Sequence, residues 1–223
     1  MPIFKQVNKD FFKKWTPEMA YVLGFFAADG YITVNKRGGQ FWSIQIIDRE
    51  LLEKIKEVVK SDHKIGVKKR KENESTLYRL QIGSIEMCDD LRGLGFNERK
   101  TKSMPIPNIP MKYLADFVRG YFDGDGNVWI GENYHNKINH STVIRTSFTS
   151  CSEKFLLGLQ QKLKNIGLGC GSCYKGTTEY FRLSYSINDS IKLYRLMYFC
   201  YPGMKLYLPR KRRVFEKFIK MRS

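Results

Sequence analysis

The chain has 223 residues, 42% of them hydrophobic, enough to bury one sizeable core or two small ones packed together without staples. Lysine and arginine outnumber aspartate and glutamate by 39 to 22, and the resulting charge of +17 is spread over the whole length, which favours a polyanionic partner. No stretch approaches the roughly 18 apolar residues of a membrane span, and the first fifteen residues lack a signal-peptide core, so the reading is a soluble intracellular protein of the cytoplasm or an organelle matrix, with no membrane partner.

The first predicted element is a helix through Tyr21-Val-Leu-Gly-Phe-Phe-Ala-Ala-Asp-Gly30. Two alternating segments follow, the second over Phe41–Ile47, then an amphipathic helix over Glu50–Lys60, a strand pair that includes Leu77-Tyr-Arg-Leu80, and a further helix. Around Asn97–Met111, Lys100-Thr-Lys-Ser-Met-Pro-Ile-Pro-Asn-Ile-Pro110 cannot be regular helix, because three prolines remove donors and fix the backbone. The same plan then begins again. Phe117-Val-Arg-Gly-Tyr-Phe-Asp-Gly-Asp-Gly126 matches the first decapeptide at five of ten positions, followed by Arg145–Cys151, a helix over Glu153–Asn165, and Tyr180-Phe-Arg-Leu183. A last helix over Leu208–Met221 carries Arg210-Lys-Arg-Arg213 near its start, where cations oppose the helix dipole and an anionic partner would suit them.

Each half thus reads as helix, two strands, helix, two strands, helix. The expected fold is α+β, two pseudo-symmetric αββαββα repeats with antiparallel sheets, divided into residues 1–100, a linker at 101–111, and residues 112–223. Alternation sets Trp42, Ile44 and Ile46 on one strand face and Ser43 and Gln45 on the other. In the second half Ile144 and Phe148 oppose Arg145, Ser147 and Thr149. Arg79 and Gln81 correspond to Arg182 and Ser184 opposite a hydrophobic row. Tyr31, Thr33, Asn35, Lys36, Arg37, Lys68 and Arg70 extend the first polar face, and Asn127, Trp129 and Lys175 the second, as candidates for base edges and phosphates.

Within the decapeptides, Gly24 and Ala28, and Gly120 and Gly124, put small residues four apart on one helical stripe, so two such helices would meet closely at Gly24 and Gly120 while Phe25, Phe26, Tyr121 and Phe122 face their own cores. Asp29 and Asp125 end these helices one residue before a glycine free to take the left-handed cap conformation. A carboxylate there meets the negative end of the dipole, and a second nearby adds repulsion. Divalent cations reverse that penalty, since carboxylate oxygens suit Mg²⁺, and such ions activate water for phosphodiester hydrolysis.

Both decapeptides resemble the LAGLIDADG motif, and the chain from about Pro17 to Phe215 resembles a single-chain, two-motif LAGLIDADG homing endonuclease. The resemblance implies motif helices between two related halves, saddle-shaped sheets that grip the major groove of double-stranded DNA, and a monomer. It implies Asp29 and Asp125 as essential acids, and the carbonyls of Ala28 and Gly124 in a shell for Mg²⁺ or Mn²⁺, with Ca²⁺ binding without supporting cleavage. The alternatives on the same scaffold are a maturase acting on its own intron RNA and a non-cutting DNA-binding protein. The motif's first acidic position is Ala27 in one half and Asp123 in the other, so Asp123 is not assigned to catalysis. Ile47 and Cys151 stand where many members carry a polar residue, and Lys36, Arg37 and Lys205 are candidates for the family's frequent basic residue.

Five cysteines without a regular framework fit reduced thiols, and Cys170-Gly-Ser-Cys173 lacks the second pair that would complete a zinc site. His135 and His140 lack the acidic partners of a different nuclease centre.

Overall fold

A computed structural model describes residues 5–68, 75–98, 104–134, 140–199 and 203–222. The first repeat consists of α1 (Pro17–Asp29), β1 (Gly30–Val34), β2 (Gln40–Ile46), α2 (Arg49–Val58), β3 (Gly66–Lys68), β4 (Leu77–Gly83) and α3 (Ile85–Gly93). After a short 3-10 turn at Met111–Tyr113 come α4 (Leu114–Asp125), β5 (Gly126–Tyr134), β6 (His140–Ser150), α5 (Glu153–Asn165), β7 (Ser172–Lys175), β8 (Phe181–Tyr185) and α6 (Ile187–Tyr198), with α7 (Pro209–Lys220) appended. The expected αββαββα order therefore occurs twice. Helix starts follow local chemistry: Thr16 accepts from Met19 N with Pro17 in the first turn, and Ser84 and Ser152 cap α3 and α5 in the same way. Helix α2 stops at Val58, two residues short of the predicted end, where the chain turns through a left-handed Lys60 with φ of 50°.

Each repeat has one four-stranded sheet, in the orders β1-β2-β4-β3 and β5-β6-β8-β7. All pairings are antiparallel, and the registers correspond: Gly30 lies opposite Ile44 and Gly126 opposite Phe148. Fixing these two pairs equates position 44 with 148 along the second strand of each sheet.

The chain divides into two compact units, Met1–Lys100 with Pro107–Gly124, and Thr101–Ile106 with Asp125–Ser223. The first unit therefore contains α4 up to Gly124 as well as the first sheet, a division different from that of the two sequence halves. Its core lies on the inner sheet face, where Trp42, Ile44, Leu80 and Ile82 are fully buried, and Phe26 meets Trp42 and Phe96 edge-on. In the second unit Ile144, Phe148, Leu183 and Tyr185 are buried, with α5, α6 and α7 against the sheet. The described part of the proline-rich segment is irregular but anchored. In the first unit Ile109 is buried; in the second, Met104 is buried and its carbonyl accepts from Ser152 Oγ at 2.7 Å. No described helix is long and apolar enough to cross a membrane.

Candidate functional site

Small residues let α1 and the body of α4 touch backbone to backbone. A Cβ placed on Gly24 would lie 2.1 Å from the Phe117 carbonyl oxygen, and one on Gly120 would lie 2.0 Å from that of Tyr21. The contact is reciprocal. Beside it, Tyr21 Oη donates to Asp123 Oδ2 at 2.7 Å, and Arg119 lies over the Tyr21 ring while pairing with Asp116 at 2.6 Å. Asp116, Arg119 and Asp123 are each at most 2% exposed, so the first acid of the second motif is part of a buried polar network joining the helices.

Asp29 closes α1, and β1 starts at the next residue. The left-handed cap expected at Gly30 is not adopted: its φ is −87° and ψ 156°, because the chain passes straight from helix into strand. Glycine is required there for space, since a Cβ would lie 2.1 Å from the Phe26 ring. Gly126 likewise has no positive φ. At the end of the stripe, a Cβ on Gly124 would press on the Ala28 side chain at 2.3 Å and reach Asp29 Oδ2 at 3.3 Å. The segment Ala28-Asp29 thus lies against Gly124, and Asp125 follows as the last residue of α4.

The register resolves which predicted contact residues share a face. In the first sheet Tyr31, Ser43 and Gln81 form one cross-strand row and Gln45 and Arg79 the adjacent one. Gln45 donates to the Tyr31 hydroxyl, and Ser43 beneath these longer side chains is fully buried, so it forms part of the floor instead of a projecting contact. Asn35 accepts from the backbone N–H groups of Arg37 and Gly39 and so builds the β1–β2 turn, leaving Thr33, Lys36 and Arg37 exposed nearby. Lys68 stands opposite Leu77, on the same face as Arg79, and Arg70 lies outside the described residues.

In the second sheet Asn127, Ser147, Ser184 and Ser172 form one row, with Ser147 nearly buried, and Thr149, Arg182 and Tyr174 the next. Trp129, 42% exposed, lies over Gly131 and carries the Arg145 guanidinium 5.8 Å from its ring centre. Lys175 pairs with Phe181 and stands on the opposite face from Arg182. Tyr174, which sequence reading passed over, occupies the polar side instead. Arg79 and Arg182 hold equivalent register positions, opposite Gln45 and Thr149.

One basic residue near an acid escaped the sequence reading. Lys211 of α7 is 8% exposed, and its Nζ donates to the Gly126 carbonyl at 2.7 Å. Its spacing to Phe215 and Phe218 marks the buried stripe of α7, a helical period hidden within a run of cations. Within that run Arg212 pairs with Glu216, whereas Arg210 and Arg213 are exposed. Lys205, the basic candidate in this region, is exposed as well. Replacing Lys211 with Met keeps the stem but removes the donor to that carbonyl. The expected loss is about 1.5–3 kcal/mol in denaturant unfolding; an unchanged midpoint would exclude the bond as a support of β5.

No group of three or more His, Cys, Asp or Glu that could hold a metal occurs among the described residues. Cys88, Cys151, Cys170 and Cys173 are free thiols, and burial pushes Cys88 up to about 11, away from reactivity. Cys200, His135 and the His140 side chain lie outside the described residues.

Comparison with known proteins adds both sequence and fold. The LAGLIDADG-like domain matches residues 16–89 and again 112–196. The probable translation initiation factor IF-2 of Thermococcus kodakarensis is 30% identical over 156 residues, 66% of this chain and 12% of that protein. An A-type ATP synthase component of Methanopyrus kandleri is 28% identical over 115 residues, 52% of this chain and 11% of that one. The chain thus spans only about an eighth or less of these curated relatives. The meganuclease I-SmaMI, solved on an uncleaveable DNA, superposes with a TM-score of 0.61 at 14% identity, over 92% of this chain and 90% of that one. The LAGLIDADG meganuclease I-AabMI, solved on uncleaved DNA, gives 0.60 at 15% identity, over 93% and 90%. I-SmaMI has also been solved on an uncleaved target in the presence of calcium ions, with a TM-score of 0.57 at 15% identity, over 93% of this chain and 90% of that one.

Proposed function

This chain belongs to the LAGLIDADG-like domain family, and from that membership we propose a site-specific homing endonuclease that binds a long double-stranded DNA target in the major groove and hydrolyses one phosphodiester in each strand. The observation that carries the proposal is the repeated acid–glycine junction. Twice a helix ends in aspartate and the next residue, a glycine, opens a strand in the same register: Asp29 before Gly30 opposite Ile44, and Asp125 before Gly126 opposite Phe148.

Asp29 and Asp125, with the carbonyls of Ala28 and Gly124, would hold the divalent ions. Mg²⁺ keeps several waters and uses one or two carboxylates together with substrate phosphates, so this small set of hard oxygens fits it without a closed protein cage. Mn²⁺ would substitute, and Ca²⁺ would bind without supporting cleavage. Such ions supply an activated water and stabilise the departing oxygen. The protein's remaining task is to hold the duplex in register. The polar rows of both sheets, set two residues apart, offer amides, hydroxyls and guanidiniums to base edges and phosphates. One chain carries both motifs, which supports action as a monomer on an asymmetric site.

The test is cleavage of a supercoiled plasmid carrying the uninterrupted version of the locus that encodes this chain, with Mg²⁺ and with a chelator. Metal-dependent linearisation is expected. Binding of that DNA without cutting would favour a DNA-binding protein, and binding of intron RNA alone a maturase.

The equivalent arginines give a second test. Arg79→Ala is expected to relax base preference in one half-site and Arg182→Ala in the other, with little cross-effect. A bidentate contact to guanine contributes about 1–3 kcal/mol of discrimination, whereas a lost phosphate contact weakens all sequences alike. A binding profile over all single-base variants distinguishes the two; uniform losses would reduce these arginines to backbone contacts.

A further inference from the structure

Phe41 interrupts the polar face of the first sheet. It faces the same way as Ser43 and Gln45, is half-buried, and has Thr33 and Gly83 as its cross-strand neighbours. A Cβ on Gly83 would lie 3.0 Å from the Phe41 ring, so the missing side chain leaves the ring room to lie over the backbone. The ring also lines a groove of about 640 Å³ together with Gln81, Lys5 and Lys9. Lys9 is paired with Glu86 at 3.2 Å, while Lys5 is exposed. The core of this unit lies on the other face with Trp42 and Ile44, so core packing does not explain an aromatic ring here.

The equivalent position in the second sheet holds Arg145: position 44 corresponds to 148, and 41 to 145. One fold position thus presents an apolar ring in one half and a guanidinium in the other. In the major groove, a guanidinium suits guanine, and an apolar side chain suits the 5-methyl group that thymine alone among the four bases carries.

We infer that Phe41 is a specificity-determining residue that recognises the methyl group of a thymine, with Lys5 beside it for the adjoining phosphate. The inference rests on the DNA-reading role of the sheet proposed above. Strands rise about 3.3 Å per residue and duplex DNA about 3.4 Å per base pair, so Phe41, four residues along β2 from Gln45, reads a base pair roughly four steps farther out.

The test begins with a random duplex pool enriched for binding in Ca²⁺. The bound sequences are expected to share a T·A pair that loses its preference when Phe41→Ala is used. In the enriched duplex, replacing that thymine by deoxyuridine removes only the methyl group. Wild-type affinity is expected to fall about fourfold, the equivalent of one methyl lost from an apolar contact, and Phe41→Ala to bind both duplexes equally. The wild-type measurement needs no variant to fold. Failure to bind any duplex would overturn the nuclease reading and this inference with it. Tight binding that ignores the methyl group at every thymine, or an equal penalty in Phe41→Ala, would overturn only the assignment of Phe41.

Discussion

Replacing Asp29 or Asp125 with asparagine is expected to leave DNA binding within a few-fold of wild type while slowing double-strand cleavage by roughly 100- to 1,000-fold or more. Asparagine preserves size and one carbonyl oxygen but removes the negative charge that a hard divalent cation requires. The polar rows that would hold DNA lie on the sheets, beyond the helix ends where these acids stand. Binding and chemistry should therefore separate. Single-turnover cleavage in Mg²⁺ and mobility shift in Ca²⁺ measure the two independently. Cutting by either variant at near the wild-type rate would exclude the acid assignment, whereas loss of binding in step with cleavage would point to a folding defect.

The largest effect on stability is expected at the glycines between α1 and α4. At Gly24 and Gly120 even alanine places a carbon 2.1 and 2.0 Å from a main-chain oxygen of the facing helix. No rotamer change relieves a clash with backbone, so the helices must part by more than an ångström along their shared stripe. Overpacking of this kind is expected to cost about 3 kcal/mol, and for a chain of this size that lowers Tm by roughly 6–12 °C. Leucine would do worse. Gly93, at the end of α3, supplies the contrast, because nothing lies within 4 Å of its added Cβ. Gly93→Ala should gain about 0.5–1 kcal/mol from reduced backbone freedom. Thermal melts of Gly24→Ala and Gly93→Ala should therefore shift in opposite directions, and equal shifts would contradict the close helix contact.

Much of this was legible in the sequence because it was written twice. Two decapeptides aligned at glycine, phenylalanine and aspartate give the helix pair, the acids and the repeated element order. What remained hidden depends on neighbours brought in by other strands or helices. Alternation assigned Ser43 to the polar face correctly, but only the register reveals that Tyr31 and Gln81 flank it and that it is buried. The short strand β7 carries too little alternation to reveal that Tyr174, and not Lys175, shares a face with Arg182. Lys211 was concealed by its basic neighbours, although its spacing to Phe215 and Phe218 was available. Asp123 resembles Asp125, the proposed catalytic acid, in sequence, and its part in the buried helix contact shows only in its hydrogen bond from Tyr21.

That same pairing bears on how the protein is made. Tyr21 and Asp123 are 102 residues apart, and α1 has nine buried residues, among them Met19, Val22, Leu23 and Phe25. At roughly 5–20 residues per second on a ribosome, the partner helix appears about 5–20 seconds after α1. During that interval the glycine face of α1 has no counterpart. The chain must also pass through Met104, which is buried in the second unit against Ser152, before it returns to complete the first. A fragment ending at residue 100 therefore lacks a structural part of its own unit, and the two repeats, although written in tandem, are not two self-contained folding segments.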